Sequence, residues 1–238
     1  MLKNIFKIII VFIFGIAGGI FANQILWPYF VERPLFYKYQ LANIPVSVNE
    51  TKEIIIQENT ALQGAVERIE KSIVGIRTET KTGKVITGSG LVVTSDGLIV
   101  TLSELVPKGG DFIFFVDVKT PNWQILKRDV ENNLALVKIE EQDLVTVGFA
   151  DFDKIKLGQR VFLSGMIFIK TDRLKIVNQG IIKFFTRDYI RTNIFEKNTL
   201  KGSALFNING ELLGLNTIDS EGKVTAIPIT IIREFIGF

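Results

Sequence analysis

Two patterns of apolar residues divide this chain of 238 residues. The first is continuous. Ile8 to Ala22, IIIVFIFGIAGGIFA, carries no charge, and after Asn23 and Gln24 the run resumes as ILWPYF. Its length is about the 20 residues needed to cross a bilayer. The second pattern alternates. From Ser72 the chain reads SIVGIRTET, VITGSGLVVT, LIVTLSEL, DFIFFVDV, WQILKRDV and LALVKIE, then RVFLSGMIFI, LKIVNQGIIKFFTR, YIRTNIF, SALFNI, ELLGLNTI and VTAIPI. Such runs predict strands, and the segments between them hold Ser95-Asp96-Gly97, Lys108-Gly109-Gly110, Asn209-Gly210 and Glu221-Gly222 as turns. Many short strands with almost no helix predict an all-β barrel or sandwich pair. Ahead of them, Ile54–Ile56 fits a short strand. Asn59 or Thr60 caps a predicted helix over Ala61–Lys71, with Leu62, Val66 and Ile69 at helical spacing. A last amphipathic turn is expected over Ile229–Ile236.

Composition places the first pattern. Hydrophobic residues make up 47% of the chain and mean hydropathy is +0.30, high for a purely soluble protein. Lys3 and Lys7 precede the apolar run, so the N-terminus is expected in the cytoplasm and everything after Trp27 outside. Small residues (Gly15, Ala17, Gly18, Gly19, Ala22) also suit a cleaved signal peptide, but the run outlasts a typical signal core, which favours a retained anchor. Gly15 and Gly19 match the GxxxG spacing, a pattern that chance readily produces in so short a segment. Trp27, Tyr29 and Phe30 fit an aromatic belt at the outer interface. The expected organisation is an anchor over 1–30, an extracytoplasmic linker over 31–60, and a folded domain over 61–238. Pro34 and Pro45 interrupt the linker.

Charge and chemistry exclude several classes. The net charge of +3 is mild and no basic run stands out, so nucleic-acid binding has no support. There is no cysteine and no histidine. Stability therefore comes without disulfides, and neither the usual zinc ligands nor the common nucleophile–base pairs are present. No metal or cofactor is expected. Gly88, Gly90 and Gly97 lack the following helix and Lys-Ser/Thr of a phosphate loop, so they serve as turning points. The 19 phenylalanines, FIFF and KFF included, fit barrel core.

Five segments, in order, resemble the protease domain of the HtrA (Deg) family of trypsin-like serine proteases: AVERIEKSIVGI, GSGLVVTSDGLIVTLSELV, DVENNLALVKI, TNIFEKNTLKGSALFNINGELLGLNT and AIPI. The resemblance runs from about Ala65 to Phe238 and implies a double six-stranded β-barrel with short flanking helices. It also implies where a catalytic triad would stand. Glu104, in Thr101-Leu102-Ser103-Glu104-Leu105, falls at the histidine position. Asn133, in Asn133-Leu134-Ala135, falls at the aspartate position. Aligned without a gap from NINGE, the serine loop reads Thr199-Leu200-Lys201-Gly202-Ser203, so Lys201 takes the nucleophile position and Thr199, Leu200 and Lys201 the oxyanion loop. A triad needs an attacking hydroxyl, an imidazole that carries its proton and a carboxylate that orients the imidazole. All three are replaced.

The resemblance thus implies a membrane-anchored homologue without a catalytic residue, a pseudoprotease that binds or scaffolds an unnamed protein or peptide outside the cytoplasm. Two alternatives stand beside it. One is an active endopeptidase using Ser203 with Lys201, although residues i and i+2 of a strand stand about 6 to 7 Å apart. The other is a purely structural extracytoplasmic domain. The family's trimer could form here through Phe36, Tyr37 and Tyr39, for which a membrane-proximal packing surface is the competing role. Its PDZ domain is not expected, because the chain stops at Phe238. Glu104 and Lys201 are expected to meet as an ion pair with Asn133 donating to Glu104, unless both side chains point to solvent. Reverting all three positions restores peptidase activity only if Thr199 still permits an oxyanion hole.

Overall fold

The computed structural model describes residues 2–32, 60–170 and 172–238. The chain forms two compact units, Met1–Glu53 and Ile54–Phe238. In the first, helix α1 spans Leu2–Phe21 and continues in wider, π-type turns over Ala22–Glu32. Pro28 lies in that stretch, has no N–H to donate, and so disfavours regular α-helical bonding. Lys3–Trp27, 25 residues, is long and apolar enough to cross a membrane. The helix runs two residues into the expected linker. The rest of that linker, the strand expected at Ile54–Ile56 and the aromatics Phe36, Tyr37 and Tyr39 lie outside the described residues.

The second unit starts its described part with helix α2 over 60–69, followed by a single tight turn at Glu70–Ser72. Ala65 and Ile69 are buried, and Leu62 and Val66 pack beside them. Twelve strands follow: β1 (Ile73–Glu79), β2 (Val85–Val92), β3 (Leu98–Leu102), β4 (Asp111–Val116), β5 (Trp123–Asp129), β6 (Leu134–Ile139), β7 (Arg160–Ile169), β8 (Asp172–Phe185), β9 (Ile190–Phe195), β10 (Ala204–Asn207), β11 (Leu212–Ile218) and β12 (Lys223–Pro228). Helix α3, Ile229–Ile236, closes the chain.

The first six strands make one sheet in the order β4-β1-β2-β3-β6-β5. The second six close into a barrel, β10-β11-β12-β9-β8-β7. The first sheet is a half-barrel: its end strands β4 and β5 are joined through a side chain, not a ladder. Trp123 donates its indole N–H to the Phe112 carbonyl at 2.9 Å, and its ring lies 5.1 Å from Phe112 and 5.8 Å from Phe114.

Three apolar clusters hold these parts. Val74, Ile76, Ile99, Phe114 and Val137 fill the first sheet. Leu163, Ile182, Leu205, Leu213 and Val224 fill the closed barrel. The third cluster lies between them, where Leu91, Leu102 and Leu134 meet Phe162, Phe206 and α3. Phe162 and Phe206 stack at 5.3 Å. Strands β3 and β6 therefore bury both faces, which explains their nearly unbroken apolar runs.

Candidate functional site

The site lies where the two sheets meet, and short turns set its side chains. Strand β3 stops at Leu102, earlier than its apolar pattern predicts, because Ser103–Leu105 folds into a single tight turn. Ser103 N–H donates to the Asn133 carbonyl at 3.0 Å, Thr78 Oγ1 donates to the Leu105 carbonyl at 2.6 Å, and Arg128 Nε to the Val106 carbonyl at 2.8 Å. Leu105 is buried beneath the turn. Glu104, carried outward by that turn, has little freedom to drift.

Asn133 approaches from the start of β6 with φ +53°, in the left-handed region that asparagine tolerates better than most residues. Its side-chain oxygen accepts from Glu104 N–H at 3.0 Å, and its amide donates to Glu104 Oε1 at 3.1 Å. The preceding turn is tied by Asp129, which accepts from the Asn132 backbone at 3.0 Å and from its side-chain amide at 2.7 Å. Those two bonds, the backbone one first, hold the Asp129 carboxyl below its ordinary range.

Lys201 follows a tight turn at Asn198–Leu200 whose apolar side is anchored by buried Leu200. Its ammonium lies 2.7 Å from Glu104 Oε2. The expected ion pair is thus formed, with Asn133 bound to the second carboxylate oxygen. The side chains retain 24% and 39% exposure, so water still screens the pair. A double-mutant cycle with Glu104→Gln and Lys201→Met should therefore give a coupling of about 0 to 1 kcal/mol. A coupling several times larger would mean that the pair is effectively desolvated.

The segment expected to match an oxyanion loop, Thr199, Leu200 and Lys201, is closed by its own turn. Lys201 N–H donates to the Asn198 carbonyl at 3.2 Å and Leu200 N–H to the Lys197 carbonyl at 2.9 Å. An oxyanion hole needs amides aimed at the reacting oxygen, and here Lys201 N–H is already bonded within the chain. The condition placed on the three reversions, that Thr199 still permit an oxyanion hole, therefore bears on this backbone donor. Restoring the side chains leaves this donor occupied.

Ser203 lies immediately before β10 with no exposed surface. Its Oγ accepts from Asn216 Nδ2 at 3.1 Å, while the Lys201 ammonium is held by Glu104. This arrangement offers no serine–lysine dyad.

Several positioning residues were not foreseen from sequence. Ser89, in the quoted Gly-Ser-Gly, accepts from Met166 N–H at 2.8 Å and receives no exposure, joining β2 to β7. Its own N–H donates to the Lys201 carbonyl at 2.9 Å. Asn216 holds Ser203 from both sides, through its side chain and through its N–H to the Ser203 carbonyl at 2.8 Å. The glycines flanking Ser89 were a usable sign of close approach: a Cβ on Gly88 would fall 2.7 Å from the Lys201 carbonyl oxygen.

Beside the ion pair opens a cleft of about 300 Å³, lined by Val85, Thr87, Glu104, Thr199 and Lys201 among others. Its walls come from β2 and from the two turns just described.

A half-barrel joined to a closed six-stranded barrel, with the site on turns at their junction, defines the class. The family model for the trypsin-like peptidase domain matches residues 88–215, and the chain belongs to that family. It is similar to "Probable periplasmic serine protease do/HhoA-like" of Haemophilus influenzae, 30% identical over 105 residues, 40% of this chain and 22% of that protein. It is also similar to "Probable periplasmic serine endoprotease DegP-like" of Marinomonas sp., 32% identical over 102 residues, 40% of this chain and 21% of that protein. The match thus spans about a fifth of the length of these curated relatives.

Proposed function

We infer that this chain is a membrane-anchored trypsin-like domain outside the cytoplasm that does not cleave peptides and instead binds or scaffolds a protein partner. The observation that carries this reading is the Lys201–Glu104 contact of 2.7 Å, completed by Asn133, at the three positions matched to a triad. A protonated lysine is no nucleophile, and a carboxylate bonded to it does not serve as its base. Supporting it, Lys201 N–H is turned inward and Ser203 is buried on Asn216. The cleft beside the pair is the surface on which a peptide would bind.

A fluorophosphonate probe and a casein digest test the chemistry on the full chain in detergent. No labelling and no cleavage are expected. Labelling at Ser203, or casein fragments absent from a Ser203→Ala control, would overturn the reading.

The anchor rests on the 25-residue apolar helix, on Lys3 and Lys7 at its inner end, and on relatives whose names place them in the periplasm. Alkaline carbonate extraction should leave the full-length protein in the membrane pellet. A soluble form beginning near Asn23 would show that the segment is removed as a signal.

A further inference from the structure

The β7–β8 hairpin and the strand β9 that follows it concentrate charge that the whole chain does not suggest. Residues 160–195 hold seven basic residues against two acidic ones, a net +5 in a chain of net +3, so the remainder carries −2. Pleating puts Arg173, Lys175, Val177, Gln179 and Ile181 on one face of β8. A bulge after Ile182 keeps that side apolar further on, where Phe184 pairs with Arg191. The opposite face of the strand is committed: Ile176 and Ile182 pack into the closed barrel.

The outer face mixes cations with apolar side chains; Arg173 lies over the Phe115 ring at 4.8 Å, and the face beyond it is uncovered. Val177, Ile181 and Phe184 expose 40%, 39% and 43% of their surface, and Tyr189 sets its ring edge-on to Phe184 at 5.9 Å. Ile169 and Leu174 stand exposed near the hairpin tip. Arg191 has Asp219 at 3.8 Å, whereas Lys175 and Lys183 meet no carboxylate among the described residues. The acids within this stretch, Asp172 and Asp188, lie at the tip and in the β8–β9 turn, away from the middle of the face.

We propose that this face of the hairpin rests on an anionic lipid surface, with Lys175 and Lys183 against phosphate headgroups and Val177, Ile181 and Phe184 in the interfacial layer. Peripheral membrane contact needs this combination of exposed apolar side chains and flanking cations. A second copy of the chain is a poor occupant, because two such faces would bring like charges together. Nucleic acid would leave the three apolar side chains without a partner. The proposal rests on the anchor reading, since an anchor on the same chain raises the effective concentration of the hairpin at the bilayer.

The chain lacks cysteine, so Val177→Cys carries an environment-sensitive fluorophore at a single site. Full chain bearing this label is reconstituted in phosphatidylcholine vesicles with and without phosphatidylglycerol. A blue shift is expected only in the anionic vesicles. It should reverse in 1 M salt, where screening falls to about 3 Å, and should vanish in the Lys175→Glu/Lys183→Glu variant. The same label at Val118→Cys, exposed in the turn after β4, should not respond. No shift in anionic vesicles, or an equal shift in neutral ones, overturns the proposal. A concentration-dependent shift in detergent without lipid also overturns it and points to self-association. Failure of the anchor reading shows separately, as labelled protein released by carbonate, while the salt-sensitive shift before extraction still decides the hairpin.

Discussion

Gly202→Ala is expected to be among the most damaging single substitutions at the site, lowering stability by about 2 to 5 kcal/mol. Gly202 has φ +75°, a conformation that costs an L-residue with a Cβ about 1 to 2 kcal/mol. Its added Cβ would lie 2.1 Å from the Ser89 carbonyl oxygen and 2.9 Å from Leu105 Cδ1. Backbone cannot retreat cheaply there. Ser89 N–H is bonded to Lys201, the Ser89 carbonyl accepts from Thr101 Oγ1 at 2.8 Å, and Gly202 N–H donates to Asn216 at 2.8 Å. Overpacking of this kind adds roughly 1 to 3 kcal/mol. For a domain of this size the sum corresponds to a drop of roughly 10 °C in melting temperature, read by circular dichroism. Gly158→Ala is the control, because Gly158 has the same φ of +75° and nothing within 4 Å of its Cβ. Equal losses in the two variants would show that the turn is not clamped against β2.

The second large effect concerns activity. The triple variant Glu104→His, Asn133→Asp, Lys201→Ser should remain without measurable peptidase activity. Single reversions should be silent too, because triad members act as a unit. The obstacle is the turn at Asn198–Leu200, which bonds Lys201 N–H to the Asn198 carbonyl. A missing oxyanion donor typically lowers kcat by about 10² to 10³. Adding Thr199→Gly to the triple variant, which lets the peptide rotate out of the turn, should raise turnover of a fluorogenic peptide by about that factor. Full activity in the triple variant alone would mean that the amide reorients freely and that the turn is no barrier.

These two expectations separate what was legible in the residues from what was not. The strands were legible. All twelve follow quoted apolar runs, because the period of two and the glycine turns are local properties. Gly97, Gly109, Gly210 and Gly222 all adopt positive φ in the turns where they were expected. Element ends were less so. Helix α2 gives way to a tight turn at Glu70, and β3 ends at Leu102 because Thr78, Arg128 and Asn133 bind the turn that follows it. Those partners lie 22 to 30 positions away in sequence, beyond the reach of any local pattern.

The ion pair was deducible because its two residues occupy positions whose backbone neighbourhood the family resemblance supplied. The closed oxyanion amide was not, since one peptide's orientation leaves no trace in residue types other than Thr199. The basic, apolar face of β8 was hidden for a different reason. Its cations are spaced two or more residues apart, so no run forms, and only pleating and barrel closure bring them to one side.

By itself, then, the sequence determined the apolar helix, the strand count and the turn positions, because each depends on residues close together in the chain. Tertiary structure decided that the first sheet stays open and is bridged by Trp123, that Ser203 is buried, that Lys201 reaches Glu104, and that the stretch from β7 to β9 collects positive charge on one side. Each of these depends on distances between segments far apart in sequence. Such distances are set by how the two sheets pack around Leu91, Leu102, Phe162 and Phe206, and packing is a property of the folded whole.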